Sequence, residues 1–154
     1  MHDTLFSGGR DVAILELSRP YYFQSPFPGA EFAAMIVARD PTITPAEQAA
    51  LSSELVTQGC RYAVCTGLAC SSWDDSVDWA LLAAWDFSPP DDAFVMTSWH
   101  EDELPEQVAP FFLQATSFDH FTPVHFVVLL VGPGPPERSL RSALLAALPP
   151  VGTA

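Results

Sequence analysis

Two apolar runs decide the fold, namely Arg61-Tyr-Ala-Val-Cys-Thr66, which leads to Ser71-Ser-Trp-Asp-Asp75, and Ala93-Phe-Val-Met96, which leads to Thr97-Ser-Trp-His-Glu101. Each run has the length and residue types of a strand, and each is followed by nearly the same Ser-Trp-acid signature. We interpret both as a strand that ends in a turn and starts a helix. If the strands are parallel neighbours, both turns open at the same edge of one sheet.

This part of the chain has a large excess of negative charge. No Lys or Arg lies between Arg61 and Glu137, although eleven acidic residues do: Asp74, Asp75, Asp78, Asp86, Asp91, Asp92, Glu101, Asp102, Glu103, Glu106 and Asp119. Carboxylates in the first turn of a helix complement its macrodipole and fill capping boxes, which accounts for Asp75 and Glu101. It does not account for the crowding of Asp74, Asp78, His100, Asp102 and Glu103 in the same turns. We therefore predict an acidic edge, which would also hold Arg39, Asp40 and residues 132–135.

The flanking segments continue the alternation of strands and helices. Residues 31–38 and 124–131 are continuous apolar runs, typical of strands covered on both faces. Thr44-Pro45-Ala46-Glu47 begins a helix with a capping box. Such alternation indicates a parallel sheet with right-handed crossovers. We predict one α/β domain over residues 1–154, a three-layer sandwich with a mostly parallel sheet of about five strands, flavodoxin-like or Rossmann-like in shape.

The remaining segments are predicted from local composition. Residues 1–11 and 149–154 are expected to be loose ends, and residues 12–17 an edge strand. The aromatic loop at residues 21–28 is expected to cover the core, and a contact surface for a partner is the alternative.

Two further capping boxes are predicted, one formed by Ser72 with Asp75 and one by Ser98 with Glu101. Pro110 lies inside the helical pattern that follows the second box. We expect it to kink or divide that helix, because proline removes a backbone donor.

Composition restricts the possible partners. The formal net charge is −13, every positive charge is an Arg, and there is no Lys. Such a charge repels phosphate backbones and anionic lipid, so we expect neither nucleic acid nor a membrane as partner. It favours basic proteins or multivalent cations. Chemistry that depends on Lys, such as a Schiff base, is excluded.

Cysteine usage and the N-terminal residues favour the cytoplasm. Cys60, Cys65 and Cys70 are odd in number and imply no disulfide framework. The N-terminal residues have neither the basic nor the apolar region of a signal peptide. No apolar run approaches the ~20 residues of a membrane helix.

Each catalytic interpretation of these residues meets a specific objection. A metal site could use Asp74 or Asp78 with His100 and Glu101, but their spacing matches no known ligand signature. Cys70 precedes a helix N-terminus, yet the surrounding carboxylates oppose thiolate formation, so we expect a buried, inert cysteine. No Gly-rich phosphate loop follows any strand. We expect no cofactor and assign no catalytic residue.

Recognition of a basic protein is the function that the sequence favours. Carboxylates would steer association and tryptophans would anchor the partner. The chain is similar in size and charge to immunity proteins and antitoxins, which mask cationic toxin active sites. The alternative is a metal-dependent hydrolase that uses carboxylates and His at the same edge. The predicted partner-binding residues are Trp73, Asp74, Asp75, Asp78, Trp79, Trp99, His100, Glu101, Asp102 and Glu103.

Overall fold

A central sheet between two helical layers organises the computed structural model, which describes residues 2–7 and 9–149. The strands are β1 (His2–Ser7), β2 (Arg10–Leu17), β3 (Phe32–Ala38), β4 (Cys60–Gly67), β5 (Met96–Trp99) and β6 (His125–Val131). The helices are α1 (Pro45–Thr57), α2 (Cys70–Ala84), α3 (Pro105–Gln114) and α4 (Arg138–Ala147). The predicted three-layer α/β sandwich is confirmed. The predicted loose C-terminal end lies, apart from Pro149, outside the described residues.

The strands follow the spatial order β1-β2-β6-β3-β4-β5. All neighbouring pairs are parallel except β1 with β2, so the prediction of a mostly parallel sheet is confirmed. The last strand, β6, inserts between β2 and β3. This order matches neither the flavodoxin nor the Rossmann arrangement, so that finer part of the prediction is not confirmed.

Apolar side chains fill both faces of the sheet. Every residue of β3 is buried, and β4 is buried from Cys60 to Thr66. On one face α1 and α2 contribute Leu51, Leu55, Trp73, Val77 and Leu81 to the core. On the other face α3 and α4 contribute Val108, Phe112, Leu140 and Leu144. None of the helices within the described residues is long and apolar enough to cross a membrane.

The N-terminal residues extend the sheet instead of forming a loose start. β1 pairs antiparallel with β2, from His2 opposite Leu15 to Ser7 opposite Arg10. β2 therefore lies between β1 and β6, and the prediction of an edge strand at residues 12–17 is wrong. The sequence pattern does not predict β1 because this segment has few apolar residues. Leu5 is buried, whereas Phe6 is exposed.

The aromatic loop between β2 and β3 covers the core, as predicted. Tyr21 and Phe23 are only 2% and 3% exposed and pack on the α1–α2 face. Side chains of α1 and its C-terminal end hold this loop in place. Glu54 Oε2 accepts from the Phe23 N–H at 2.9 Å, and Gln58 Nε2 donates to the Phe23 carbonyl at 2.9 Å.

The capping box of α1 is confirmed, whereas the box predicted for α2 is wrong. Thr44 Oγ1 accepts from the Glu47 N–H at 3.1 Å, and Glu47 Oε1 accepts from the Thr44 N–H at 3.0 Å. α2 begins earlier than predicted because Ala69, at φ 51°, turns the chain directly into the helix. Ser72 consequently lies in the first turn, where its hydroxyl donates to the Ala69 carbonyl instead of pairing with Asp75.

The box of Ser98 and Glu101 is also wrong, because both the strand and the helix start later than predicted. A short 3-10 turn at Asp91–Ala93 delays β5, which then includes Ser98. α3 begins only at Pro105 and continues through Pro110 without division.

Gly67 allows β4 to end close against β3. Its φ is +86°, and a Cβ at this position would lie 2.4 Å from the Ala38 carbonyl oxygen. Gly67→Ala is therefore expected to lower the free energy of unfolding by more than the roughly 1–2 kcal/mol of left-handed strain alone. Urea denaturation followed by circular dichroism measures the loss.

Gly29→Ala is the matched control, because Gly29 has φ +79° and nothing within 4 Å of an added Cβ. Both substitutions affect the unfolded chain alike, so their difference isolates the steric contact. Equal losses for the two variants would contradict the close approach of Gly67 to β3.

Candidate functional site

The carboxyl ends of the five parallel strands meet at one side of the sheet, which we call the carboxyl edge. The segments that follow β2, β3, β4, β5 and β6 begin there at Ser18, Arg39, Leu68, His100 and Gly132. β3 leads to α1 on one face and β6 leads to α4 on the other. The crevice between β3 and β6 is therefore the switch point, where open α/β sheets usually place a ligand.

The protein's own charge pairs fill one side of this crevice. Asp40 accepts hydrogen bonds from the Tyr21 hydroxyl at 2.5 Å, from the Thr42 N–H at 2.8 Å and from Arg19 at 3.1 Å. Arg19 also donates to Glu47 at 2.6 Å. The carboxylates here are balanced by a nearby guanidinium.

These contacts shift three pKa values. The hydrogen bond from Tyr21 lowers the pKa of Asp40 to about 2, and the bond from Arg19 lowers the pKa of Glu47 to about 2. Burial raises the pKa of Tyr21 to about 12, and its bond to Asp40 adds to the shift. The stability due to the carboxylates is present above their unfolded pKa of roughly 4 and is lost as pH falls towards 2. The stability due to Tyr21 is present below pH ~10 and is lost as pH rises towards 12.

Arg39 closes the other side of the crevice. Its guanidinium donates to the Gly132 carbonyl at 2.8 Å and to the Pro135 carbonyl at 2.9 Å, and it lies 3.3 Å from a Glu137 carboxylate oxygen. Gly134 packs so closely on it that an added Cβ would lie 2.9 Å from Arg39 Nη1. These contacts tie the loop after β6 to the end of β3, so we assign the switch point a structural role.

The acids of α2 form a compact cluster on the same edge. Asp74, Asp75 and Asp78 each place a carboxylate oxygen within 4.8 Å of the others. Asp74 is only 6% exposed, and its Oδ1 has no hydrogen-bond partner among the described residues. Thr97 Oγ1 donates to Asp78 Oδ1 at 3.1 Å. Burial raises the pKa of Asp74 and of Asp78 and neighbouring carboxylates add to the shift, whereas a hydrogen bond from Thr97 opposes it.

His100 lies next to α3 and not in this cluster. Its ring centre is 4.9 Å from that of Phe111, its Nε2 is 3.1 Å from Ser98 Oγ, and its Nδ1 is 4.0 Å from Glu103 Oε2. Hydroxyl, imidazole and carboxylate follow one another as in serine hydrolases. The 4.0 Å separation is, however, too long for the hydrogen bond that would orient the imidazole.

The alternative metal site is not assembled as predicted. Among the described residues, the cluster with ligand spacing contains Asp74 and Asp78, but it takes Asp75 as its third member instead of His100 or Glu101. Glu101 is exposed in the loop between β5 and α3.

The tryptophans predicted as anchors differ in exposure. Trp73 is 1% exposed and belongs to the core, which corrects its assignment to the partner-binding surface. Trp73 faces the sheet together with Val77, which lies one turn later on the same side of α2. Trp79 and Trp99 are 63% and 53% exposed.

Trp99 lies on the α2 side of β5. Strand side chains alternate, so Thr97 and Trp99 project from the same face, and Thr97 bonds to Asp78 of α2. Three exposed acids, residues 101–103, follow Trp99 after His100. We call this combined region the α2–β5 surface, and it comprises Asp75, Asp78, Trp79, Trp99, Glu101, Asp102 and Glu103.

A groove of about 510 Å³ runs between α1 and α2 and meets this surface. Small side chains on the two helices, including Ala49, Ser53 and Ala80, leave the space open. Trp79 and Asp75 also line it, so an aromatic ring and a carboxylate border the same groove.

Part of the acidic excess lies at the opposite, amino edge of the sheet. Asp91, Asp92 and Asp119 line a pocket there around Arg61. Arg61 is 8% exposed and donates to Glu31 at 2.5 Å. The count of acids alone does not separate the two edges, whereas the alternation of strands and helices does, because α2 returns the chain from one edge to the other.

The three cysteines are free and buried, as expected. Burial raises the pKa of Cys60 to about 12 and raises the pKa values of Cys65 and Cys70 above the ordinary range. These thiols stay protonated at neutral pH and are poor nucleophiles.

The charge network of the switch point is absent from the sequence prediction. Arg39 and Asp40 directly follow an apolar strand, and this position indicates the carboxyl edge. Asp40 pairs with Arg19, which also pairs with Glu47, and Arg39 pairs with Glu137. These partners come from separate segments that no spacing rule connects to residues 39 and 40.

Tyr21→Phe tests this network. The variant removes the phenol donor from the Asp40 carboxylate, which keeps its bonds from Thr42 and Arg19, so its free energy of unfolding at pH 7 should fall below that of the native protein. The stability of the variant should also fall less steeply than that of the native protein between pH 10 and pH 12, because part of the native decline is caused by ionisation of Tyr21. Urea titrations across this pH range measure both effects.

Tyr22→Phe is the matched control, since Tyr22 is 77% exposed. Tyr22→Phe should change neither the free energy of unfolding at pH 7 nor its fall between pH 10 and pH 12. A Tyr21→Phe variant that behaves like this control would contradict the structural role of the hydrogen bond to Asp40.

Comparison with known proteins places the chain in a family. A search of the curated proteins found no significant match. The model of one family, described as "Domain of unknown function (DUF7684)", matches residues 12–147. Residues 12–147 include all four described α-helices and the sheet apart from β1 and the first two residues of β2. The chain therefore belongs to the DUF7684 family.

Proposed function

We propose that this protein binds a basic protein partner through the α2–β5 surface. The observation that supports the proposal is the exposure of Trp79 and Trp99 among carboxylates that form no ion pair with any Arg of the described residues. Tryptophan is among the residues most enriched at the anchor positions of protein interfaces, and surrounding charges steer the partner and fix its orientation.

The distribution of arginines supports the same surface. Arg19, Arg39 and Arg61 are each engaged with a carboxylate elsewhere: Arg19 with Asp40 and Glu47, Arg39 with Glu137, and Arg61 with Glu31. The α2–β5 surface thus keeps its negative potential, which attracts a cationic partner and accelerates association at low ionic strength.

The groove between α1 and α2 suggests how one contact forms. The aliphatic part of an Arg or Lys side chain fits against Ala80 and the face of Trp79, while its charged end reaches Asp75. Burial of the apolar stem, the cation–π contact and the ion pair then act on one partner residue. A partner that presents a cationic active site, as toxins masked by immunity proteins and antitoxins do, is the inhibitory form of this proposal.

A charge-matched pair of variants tests the location. The surface variant carries Asp75→Asn, Glu101→Gln, Asp102→Asn and Glu103→Gln. The control carries Asp86→Asn, Asp91→Asn, Asp92→Asn and Asp119→Asn, all exposed and outside the α2–β5 surface. Each set removes the same number of charges, so non-specific electrostatic binding should change equally in both.

Pull-down from a lysate of the source organism at low and high salt, with mass spectrometry, supplies the measurement. We expect one basic protein to be retained by the native chain and by the control, and lost from the surface variant. Retention of nothing, or equal loss from both variants, would argue against the proposal.

Trp79→Ala tests the anchor with the partner so identified. The affinity should fall by about 2 kcal/mol or more, or roughly thirtyfold, as for a central interface tryptophan. Trp85→Ala is the control, because Trp85 is 45% exposed but follows the other end of α2. Calorimetric titration of both variants measures the difference, and equal effects would exclude Trp79 as an anchor.

A further inference from the structure

We propose that Asp74, Asp75 and Asp78 bind a divalent cation that prefers oxygen ligands, such as Mg²⁺, Mn²⁺ or Ca²⁺. The site lies on the first half of α2, next to the edge strand β5. It does not depend on the docking proposal, since the isolated chain suffices to test it.

The spacing of the three residues on α2 creates the site. Residues 74 and 78 are one helical turn apart and stack on the side that faces β5, and residue 75 is the next position around the helix. One carboxylate oxygen from each lies within 4.8 Å of the other two. A cation placed among them could contact all three.

Asp74 provides a second, independent observation that points to a ligand. The residue is 6% exposed, and its Oδ1 is buried without a hydrogen-bond partner in the described part of the chain. Buried polar groups are almost always paired, and an unpaired carboxylate oxygen is among the most costly to bury. A cation at the cluster would supply the missing interaction.

Compensating protein charge is missing from the site. None of the ion pairs among the described residues involves Asp74, Asp75 or Asp78. The hydroxyl of Thr97 donates to Asp78, but a neutral donor does not balance three carboxylates.

The donor set determines the class of cation. Carboxylate oxygens are hard ligands that suit Mg²⁺, Mn²⁺ and Ca²⁺, and neither a thiol nor an imidazole belongs to the cluster. Asp75 and Asp78 are exposed, so water can complete the coordination from the open side. Mg²⁺ and Mn²⁺ commonly bind with few carboxylates and several waters.

Calorimetric titration of the isolated chain with MgCl₂, MnCl₂ and CaCl₂, at constant ionic strength, tests the proposal. We expect saturable binding of one cation per chain for at least one of the three salts. Mn²⁺ should also quench part of the tryptophan fluorescence. Trp73 directly precedes Asp74, and Trp99 lies two residues after Thr97, whose hydroxyl donates to Asp78.

Asp78→Asn is the principal variant, since Asp78 is exposed and the amide oxygen of Asn can still accept from Thr97. The affinity of this variant for the cation should fall at least about tenfold. Loss of a group that only hydrogen-bonds to a metal ligand already has an effect of that size. Asp74→Asn should also lose affinity, yet unfold at a higher temperature than the native chain without cation, because an unfavourable buried charge is removed. A purely structural role for Asp74 would not produce that pair of effects.

The double variant Asp91→Asn and Asp92→Asn controls for non-specific condensation on an acidic protein. It alters exposed acids that are not part of the cluster, and its affinity should equal that of the native chain. Absence of saturable binding with all three salts, or equal loss in this control and in Asp78→Asn, would overturn the proposal. Either result leaves the docking experiment unaffected.

Discussion

Complete burial of β3 is the constraint on which the rest of the structure depends. All seven residues from Phe32 to Ala38 are buried, with β4 on one side and β6 on the other. A strand hidden on both faces requires a helical layer above and below, so the chain must send some connections over each face. The point where those connections diverge lies between β3 and β6, and the carboxyl edge derives its geometry from it.

The protein then divides its few positive charges unevenly over that edge. Arg19 and Arg39 are committed to the switch point, where they hold loops from distant parts of the chain. The segment from β5 to α3 and the first half of α2 receive no guanidinium. Structural ion pairs therefore occupy the switch point, whereas unpaired carboxylates occupy the neighbouring α2–β5 surface. Only the carboxylates of the α2–β5 surface are available to bind a cation or a partner.

Apolar continuity made the fold accessible from sequence, because β3, β4 and β6 are long buried runs with little ambiguity. β1 escaped detection since its pairing with β2 depends on backbone hydrogen bonds more than on an apolar pattern. The starts of α2 and α3 were misjudged for a local reason. Ala69, in the left-handed conformation, begins α2 without a side-chain cap. Ser98, the predicted cap of α3, is instead part of β5.

The candidate site was accessible only in outline. A count of charges locates the acids of α2 and of the loop after β5, because sequence neighbours remain neighbours in space. A count of charges does not distinguish a tryptophan that faces the sheet from one that faces solvent. Trp73 and Trp79 differ because their six-residue separation places them about 120° apart around α2. Trp73 shares the side of Val77 and Leu81, which faces the sheet.

The position of β5 at the end of the sheet has a consequence for self-association. An edge strand leaves backbone donors and acceptors unpaired on one side, and such a row can recruit the same strand from another molecule. Here the edge strand has only four residues, and three acids follow it after His100. A second copy that approached along β5 would bring carboxylates against carboxylates, so the charge of this region also protects the open side of the sheet from aggregation.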